Sequence, residues 1–336
     1  MMGKGFFLTR AIALTSALLA ASLMIVDSAH SQARSSNFPA GKVITIYVPY
    51  AAGGTTDAGA RLLAADLERE LSTRVQVENK PGAASQVGLK ALLSSAPNGL
   101  TLSCAVIPTI ITHYMDPERE APYSRKDFQP VAHHHLIPAV LAVQASSPYK
   151  TLKDFMEAAR ANPGKLTVSD SGLMANPHLS VLMLQKAAGV RLGSVHFDGG
   201  APSVTALLGG HVTALAGGVS DAVPHVKTGK FRVLGIAAEQ ENEFLPGVPT
   251  MKSQGYDAVT VSATGILAPA GTPKEVVDIL TAAIKKVVES EDHKKKLRDL
   301  GVSPYYLNPT DYAALWVNAE SRVGPLLKEI RATQTK

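Results

Sequence analysis

The chain has 336 residues, 46% of them hydrophobic and 18% charged, and a formal net charge of +5 at pH 7. Such a chain can bury a sizeable core, and it contains no tract of low complexity. Its basic residues form no stripe interleaved with aromatic side chains, so nucleic acid is excluded as the expected partner, and the charge mildly favours small anions. The only cysteine, Cys104, rules out an internal disulfide.

The first 33 residues have the pattern of a secretory signal peptide. Lys4 and Arg10 precede an apolar run over residues 11–26, and Ala33 supplies a small residue for cleavage. The apolar run is short for a membrane span. The sequence therefore predicts an exported protein whose mature chain begins near Arg34.

The segment from Val43 to Leu67 predicts a strand, a glycine turn and a helix. Residues 43–48 are β-branched or aromatic, as in a buried strand, and Pro49 ends the strand because it has no N–H to donate. Three good N-cap residues precede a helix whose N-terminus favours an anion such as a carboxylate. An ordinary strand–helix connection that binds nothing is the alternative. The candidate ligand contacts are Tyr50, Gly53, Gly54, Thr55, Thr56 and Asp57, of which the last three are also the expected N-caps.

Short apolar runs then alternate with helical patterns, which predicts an α/β architecture. Strands are expected at 74–79, 100–106, 128–135 and 139–145, the last two divided by Pro138. Helices are expected at 83–95, from Thr151 to 161, at 181–188, at 204–209, at 273–290 and at about 310–331.

Three more units repeat the order of strand, polar loop and helix after residue 166. In open α/β sheets, ligands bind at the carboxyl edge of the strands, so these loops predict a binding cleft. The candidate ligand contacts on them are Ser171, Asn176 and His178, then Gly199, Gly200 and Ala201, then Ser220 and Asp221, with Pro108 and Thr109 at the end of an earlier strand.

The run His133-His134-His135 invites a metal interpretation. Neighbouring side chains of a strand point to opposite faces, so at most His133 and His135 share one. No carboxylate or cysteine lies nearby in sequence to complete a site. We therefore expect no metal and no organic cofactor.

An enzyme is the rival class. The chain lacks a Gly-x-Ser-x-Gly elbow, a His-Glu-x-x-His pair and a phosphate-binding Gly-x-x-x-x-Gly-Lys. Asp57, Ser171 and either His178 or His196 could in principle form a triad, because triads are defined by geometry. An exported hydrolase is thus the less favoured alternative, and the sequence predicts a protein that is not an enzyme.

Five motifs in the same order resemble one family, the substrate-binding receptors of tripartite tricarboxylate transporters, also known as the Bug or TctC family. The resemblance covers nearly the whole mature chain and rests on segments 49–57, 77–83, 96–102, 245–250 and 267–273. They read Pro-Tyr-Ala-Ala-Gly-Gly-Thr-Thr-Asp, Val-Glu-Asn-Lys-Pro-Gly-Ala, Ala-Pro-Asn-Gly-Leu-Thr-Leu, Leu-Pro-Gly-Val-Pro-Thr and Leu-Ala-Pro-Ala-Gly-Thr-Pro.

The resemblance implies a periplasmic-binding-protein-like clamshell of type II, with two α/β lobes and two hinge crossings. We expect residues 34–140 with 259–336 in one lobe and 141–258 in the other. It also implies a monomeric periplasmic receptor that holds a small carboxylate between its lobes and delivers it to the permease subunits of such a transporter. A receptor of the same fold that presents its ligand to a membrane signalling kinase is the alternative.

Two departures from the family pattern concern the pocket. Ala52 stands where the first loop usually has a proline, and Asp198 precedes Gly199 in the third loop. If Asp198 faced the pocket, it would disfavour a second ligand carboxylate and favour an amine or a hydroxyl group.

Overall fold

The computed structural model describes residues 38–334, so the predicted signal peptide lies outside the described residues. Residues 38–42 form a turn in which the Lys42 N–H donates to the Pro39 carbonyl (3.0 Å). Within the described part of the chain, no helix combines the length and the apolar character needed to cross a membrane.

Lobe 1, which contains both ends of the segment 43–334, is built on a sheet with three parallel strands. β1 (Val43–Val48) lies between β2 (Arg74–Asn79) and β3 (Thr101–Ile107). Ile44, Ile46 and Val48 on β1 are fully buried because alternate side chains of the strand point into the core. The helices of this lobe are α1 (Thr55–Leu71), α2 (Gln86–Leu93), α3 (Thr109–Met115), α8 (Lys274–Glu289), α9 (Glu291–Asp299) and α10 (Pro309–Gln334).

Lobe 2, which lies between the two crossings, carries a second group of parallel strands. β5 (Thr167–Asp170) lies between β6 (Gly193–His196) and β7 (Ala214–Gly218). β8 (Phe231–Ala237) also belongs to lobe 2. Its helices are α4 (Leu152–Ala161), α5 (Asn176–Ala188), α6 (Gly200–Leu208) and α7 (Val219–Lys227).

One long strand belongs to both lobes. β4 (Phe128–Gln144) pairs in its first half with β9 (Val261–Pro269) and β10 (Ser303–Leu307) of lobe 1. From Ala139 onward it pairs with β7 and β8 of lobe 2. The chain returns to lobe 1 where β9 begins, at the Val261 pairing with Pro138. The two crossings therefore lie side by side, and the lobe boundaries at 140/141 and 258/259 remain predictions.

The core has a separate apolar cluster on each face of the lobe 2 sheet. Ala139, Leu141 and Val143 of β4 belong to one cluster, and Val140 and Ala142 belong to the other. Both faces of this half-strand are therefore covered by helices, as is usual for sheets with parallel strands.

The core of lobe 1 centres on Trp316 and Tyr312 of α10, which are fully buried. Cys104 of β3 is buried too, and burial raises the pKa of its thiol to about 12. It is thus a small core residue, as the sequence indicated, and no reactive thiol.

Two local predictions were wrong, and three elements were missed. Pro138 does not divide two strands, because it lies where β4 passes from one sheet group to the next and needs no N–H partner there. The expected helix at 83–95 begins only at Gln86, because residues 83–85 form a turn with positive φ angles. Helices α3 and α9 and strand β10 were not predicted.

The N-cap assignment was also wrong. Helix α1 begins at Thr55, its N-cap is Gly54, and no side chain caps it. Thr55, Thr56 and Asp57 are therefore the first three helical residues. Asp57 still satisfies a loop donor, because its Oδ2 accepts from the Gly53 N–H at 3.0 Å.

Candidate functional site

A cavity lies between the two lobes, where the parallel strands of both end. Its volume is about 60 Å³. Carboxyl edges of parallel strands are where α/β proteins place their ligands. The residues that line it are Tyr50, Ala51, Gly54, Thr55, Thr56, Asp57, Val106, Thr109, Ile137, Ser171, Pro177, Gly200, Gly218, Asp221, Ser262 and Thr264.

Two helix N-termini face each other across this cavity. A Cβ atom built on Gly54, at the start of α1, would lie 3.5 Å from the backbone nitrogens of both Gly200 and Ala201, at the start of α6. Neither helix has a side-chain cap. The two backbones therefore approach closely, and the two dipoles together make this edge favourable for negative charge.

Asp57 lies at this edge as one partner of an ion pair. Its carboxylate lies 2.9 Å from the Arg61 guanidinium and accepts from the Asn79 amide at 2.8 Å. Burial opposes ionisation, but these hydrogen bonds with Arg61, Gly53 and Asn79 prevail, and the pKa of Asp57 is lowered. Asp57 is therefore an anion whose charge is neutralised within lobe 1.

Asp221 enters the cavity from lobe 2, in the first turn of α7. It accepts hydrogen bonds from the Thr55 hydroxyl (2.9 Å) and from the Gly218 N–H (2.8 Å). Loss of solvation raises the pKa of its carboxyl group, because these bonds do not offset it. No ion-pair partner of Asp221 exists among the described residues.

Hydroxyl groups of β9 and α3 also line the cavity. Thr264 of β9 is buried, and its Oγ1 has no hydrogen-bond partner among the described residues. Ser262, two residues earlier on the same strand face, accepts from the Asn176 amide at 2.9 Å and keeps its own proton free to donate. Thr109 accepts from the Asn176 backbone N–H at 3.1 Å, and its hydroxyl also pairs with the Tyr50 phenol.

Direct hydrogen bonds join the lobes around the cavity. Thr55 of lobe 1 lies 2.6 Å from the Ser220 hydroxyl of lobe 2, and the Ala51 N–H donates to the Asp198 carbonyl at 2.8 Å. The Asn176 side chain accepts from Thr260 and donates to Ser262, both beside the return crossing. The lobes are thus closed on each other.

Nine of the sixteen candidate residues line the cavity, and seven do not. Asn176 and Ser220 lie just behind it and join the lobes through the bonds described above. His178 fixes a loop, since its Nδ1 accepts from the Met174 N–H at 2.9 Å. Asp198 is exposed and does not line the cavity. Asp221 does line it, so it is the charge of Asp221 that would disfavour a second ligand carboxylate. The candidates outside the lining are Gly53, Pro108, Asn176, His178, Gly199, Ala201 and Ser220.

Sequence reasoning missed Ser262 and Thr264, which bring the hydroxyl groups of β9 to the cavity. A signal was present, because Ser262 and Thr264 are polar residues two positions apart in a strand that is otherwise apolar. The other missed lining residues are Ala51, Val106, Ile137, Pro177 and Gly218.

One group of side chains beside the cavity has the composition of a metal site. Asp170, His178 and His196 bring one possible ligand atom each within 4.8 Å of one another. His178 does not fit that role, because the Met174 N–H occupies its Nδ1 and places the ring proton on Nε2. The ring then has no free lone pair for a cation. His196 instead pairs with the Asp170 carboxylate at 2.9 Å.

The run His133-His134-His135 lies inside lobe 1, away from the cavity lining. A bulge in β4 removes the strict alternation, so that the Nδ1 atoms of His134 and His135 lie 2.9 Å apart. His134 also meets His293 of α9 at 2.8 Å, and His293 meets Asp66 at 2.6 Å. These residues join α9 and α1 to the sheet.

Comparison with known proteins agrees with this architecture. Residues 59–332 match the family described as the tripartite tricarboxylate transporter family receptor, TctC. The chain is 35% identical over 290 residues to the "UPF0065 protein in gbd 5'region" of Cupriavidus necator, covering 84% of this chain and 85% of that one.

Two solved structures share the fold closely. "R. palustris Rpa4515 with adipate" has a TM-score of 0.82 and 27% identity, with 87% of this chain and 98% of that one covered. MatC of Rhodopseudomonas palustris "with bound malate" has a TM-score of 0.80 and 29% identity, with 86% and 100% covered.

The two-lobed α/β fold with a cleft between its lobes defines a solute-binding receptor. More particularly, the chain belongs to the receptor family of the tripartite tricarboxylate transporters. This confirms the family and the fold that the five motifs indicated. It is a family of receptors and not of enzymes.

Proposed function

We propose that this chain is a periplasmic receptor that captures a small carboxylate between its lobes and delivers it to the membrane permease of a tripartite tricarboxylate transporter. The family supports the receptor role, and two relatives of the same fold carry adipate and malate. The sequence adds the pattern of a signal peptide at residues 1–33, which supports export.

The Thr264 hydroxyl is the observation that carries the carboxylate assignment. It is 1% exposed, lines the cavity, and has no hydrogen-bond partner in the part of the chain that the structure describes. A buried hydroxyl without a partner costs about 1–3 kcal/mol. A ligand oxygen that accepts from Thr264 removes that cost, and a carboxylate oxygen does so best because hydrogen bonds to charged acceptors are the stronger ones.

A neighbouring hydroxyl extends this donor set. Ser262 accepts from the Asn176 amide and can still donate its own proton. We infer that the carboxylate is bound by hydroxyl groups, since none of the described residues that line the cavity is a lysine, an arginine or a histidine.

The substitution Thr264→Val tests the assignment. Valine keeps the shape and removes the hydroxyl, so we expect a melting temperature equal to or above that of the wild type. We expect five- to tenfold weaker binding in calorimetric titrations with the acid that binds among succinate, L-malate, adipate, glycine, β-alanine and γ-aminobutyrate, which corresponds to a lost hydrogen bond of about 1–1.4 kcal/mol.

The exposed Thr228 provides the matched control, and Thr228→Val should change neither quantity. Wild-type affinity in Thr264→Val would remove this hydroxyl from the site. Absence of binding by every acid in the wild-type protein would contradict the proposed function itself.

A further inference from the structure

Two carboxylates line the cavity, and they differ in their charged partners. Asp57 has the Arg61 guanidinium at 2.9 Å. Asp221 has hydrogen-bond donors but no cationic partner among the residues that the structure describes. Asp221 therefore lacks a formal counter-ion, and a cationic group of a ligand in the cavity would supply one.

Asp221 already occupies the edge that favours an anion. Its Oδ1 accepts from Thr55 at the start of α1, and its Oδ2 accepts from Gly218 at the start of α7. A Cβ on Gly200, at the start of α6, would lie 2.9 Å from Oδ1. The carboxylate of the protein therefore lies where three helix N-termini converge, and a ligand carboxylate placed there would meet a like charge at close range.

The remaining donors of the cavity are hydroxyl groups of β9. Thr264 has a buried hydroxyl without a partner among the described residues, and Ser262 can donate its proton. The cavity thus combines hydroxyl donors on β9 with a carboxylate acceptor at Asp221. A ligand that matches both carries an anionic acceptor and a cationic donor.

We infer that Asp221 is the counter-ion for an ammonium group of the ligand, so that this receptor takes a small zwitterionic amino acid and not a simple dicarboxylate. The inference rests on the proposed function, because the carboxylate of the same ligand accepts from the hydroxyl groups. The cavity volume of about 60 Å³ compares with about 10–15 Å³ for one water, which favours an amino acid with few carbon atoms.

The charged groups near Asp221 do not replace the ligand ammonium. His225 lies one turn along α7, and desolvation lowers its pKa, so it is neutral at pH 7. Asp198 precedes α6 with an exposed side chain outside the lining. Asp57 is held by Arg61, which keeps that cation on the lobe 1 side.

Matched pairs of ligands test the inference without any variant. We would measure dissociation constants of the full mature chain for glycine with acetate, β-alanine with propionate, and γ-aminobutyrate with butyrate, since each pair differs only in the ammonium group. For the pair whose length fits, we expect the amino acid to bind at least tenfold more tightly than its partner.

The substitution Asp221→Asn should then abolish this preference. Asparagine has nearly the same shape and removes the charge, so we expect the ratio within the pair to fall at least tenfold, while the affinity for the acid without an amine stays the same or increases. Asp198→Asn, which neutralises a carboxylate outside the cavity, should leave the ratio unchanged. Melting temperatures establish that both variants are folded.

The outcomes separate the two proposals. Equal or tighter binding of the acids without an amine, or an unchanged ratio in folded Asp221→Asn, would overturn the role of Asp221 and leave a carboxylate receptor. If neither member of any pair bound, and no dicarboxylate bound either, the proposed function would fail and this inference with it.

Discussion

At the scale of single residues, three consecutive positions have a backbone conformation that residues other than glycine rarely adopt. Ala83, Ala84 and Ser85 have φ angles of 49°, 50° and 85°. Contacts hold them there, since Arg119 donates to the Ala83 carbonyl (2.7 Å) and also reaches Leu173 of lobe 2. The left-handed conformation costs about 1–2 kcal/mol for a residue with a Cβ, so this turn stores strain next to the boundary between the lobes.

The substitution Ala83→Gly should therefore stabilise the protein. Ala83 is exposed, so glycine loses no buried methyl group, and relief of strain outweighs the extra freedom of the unfolded chain. We expect the free energy of unfolding to rise by about 0.5–1 kcal/mol in urea titrations. The control is Ala65→Gly, at an exposed position inside α1, which should lower the free energy of unfolding by about 1 kcal/mol. Equal effects of the two substitutions would show that the backbone at Ala83 is not strained.

Residue types alone located part of the site. Thr55, Thr56, Ser171 and Gly200 follow strands in the sequence and also line the cavity, because parallel strands deliver their loops to one edge. Asp198 and Asp221 show the limit of that reasoning. Both follow predicted strands, and only the packing of α7 against the start of α1 decides that Asp221 is the one that lines the cavity.

At the scale of secondary-structure elements, β4 carries three buried histidines that tie it to its neighbours. Burial lowers the pKa of His133 to about 4 and that of His135 to about 3, and it lowers the pKa of His134 well below its ordinary value. His293 of α9 connects this row to Asp66 of α1. The three histidines are thus neutral core residues that position two helices against the sheet.

These histidines predict a loss of stability in mild acid. Between pH 6.5 and about 4 the unfolded chain binds protons at these positions and the folded chain does not, so stability is complete above pH 6.5 and falls as the pH decreases. Each group contributes at most about 1.4 kcal/mol per pH unit. His113 and His178, whose pKa values burial lowers to about 3, add to the effect. Asp170 and Asp221, whose pKa values are raised, act in the opposite direction.

Urea unfolding at pH 7 and at pH 5 measures this effect. We expect the free energy of unfolding to be lower at pH 5 by at least about 2 kcal/mol. His211→Gln, which removes an exposed histidine, should leave the difference unchanged. Equal stability at the two pH values would show that the β4 histidines are not held neutral.

The types of the elements were easier to predict from the sequence than their limits. The parallel strands of both lobes have clear apolar patterns, whereas β4 runs through Pro138 without interruption and α9 has few apolar residues to reveal it. The bulge that brings His134 and His135 together depends on how β4 pairs with β9 and cannot be read from alternation in one strand.

At the scale of the whole molecule, two lobes close over a cavity lined by hydroxyl donors and by the Asp221 carboxylate. Two adjacent crossings connect the lobes, and contacts such as those of Thr55 with Ser220 and Asn176 with Ser262 hold them together. Since the lobes meet through side chains that also border the cavity, ligand binding and closure are coupled.

The central claim is that this cavity binds a small carboxylate. The most direct test is a thermal-shift comparison of carboxylic and amino acids with their amides on the full mature chain. A ligand that binds only the folded protein raises its melting temperature by mass action. We predict a concentration-dependent rise with at least one acid and none with its amide. A rise with a sugar or another neutral solute, and none with any acid, would contradict the account.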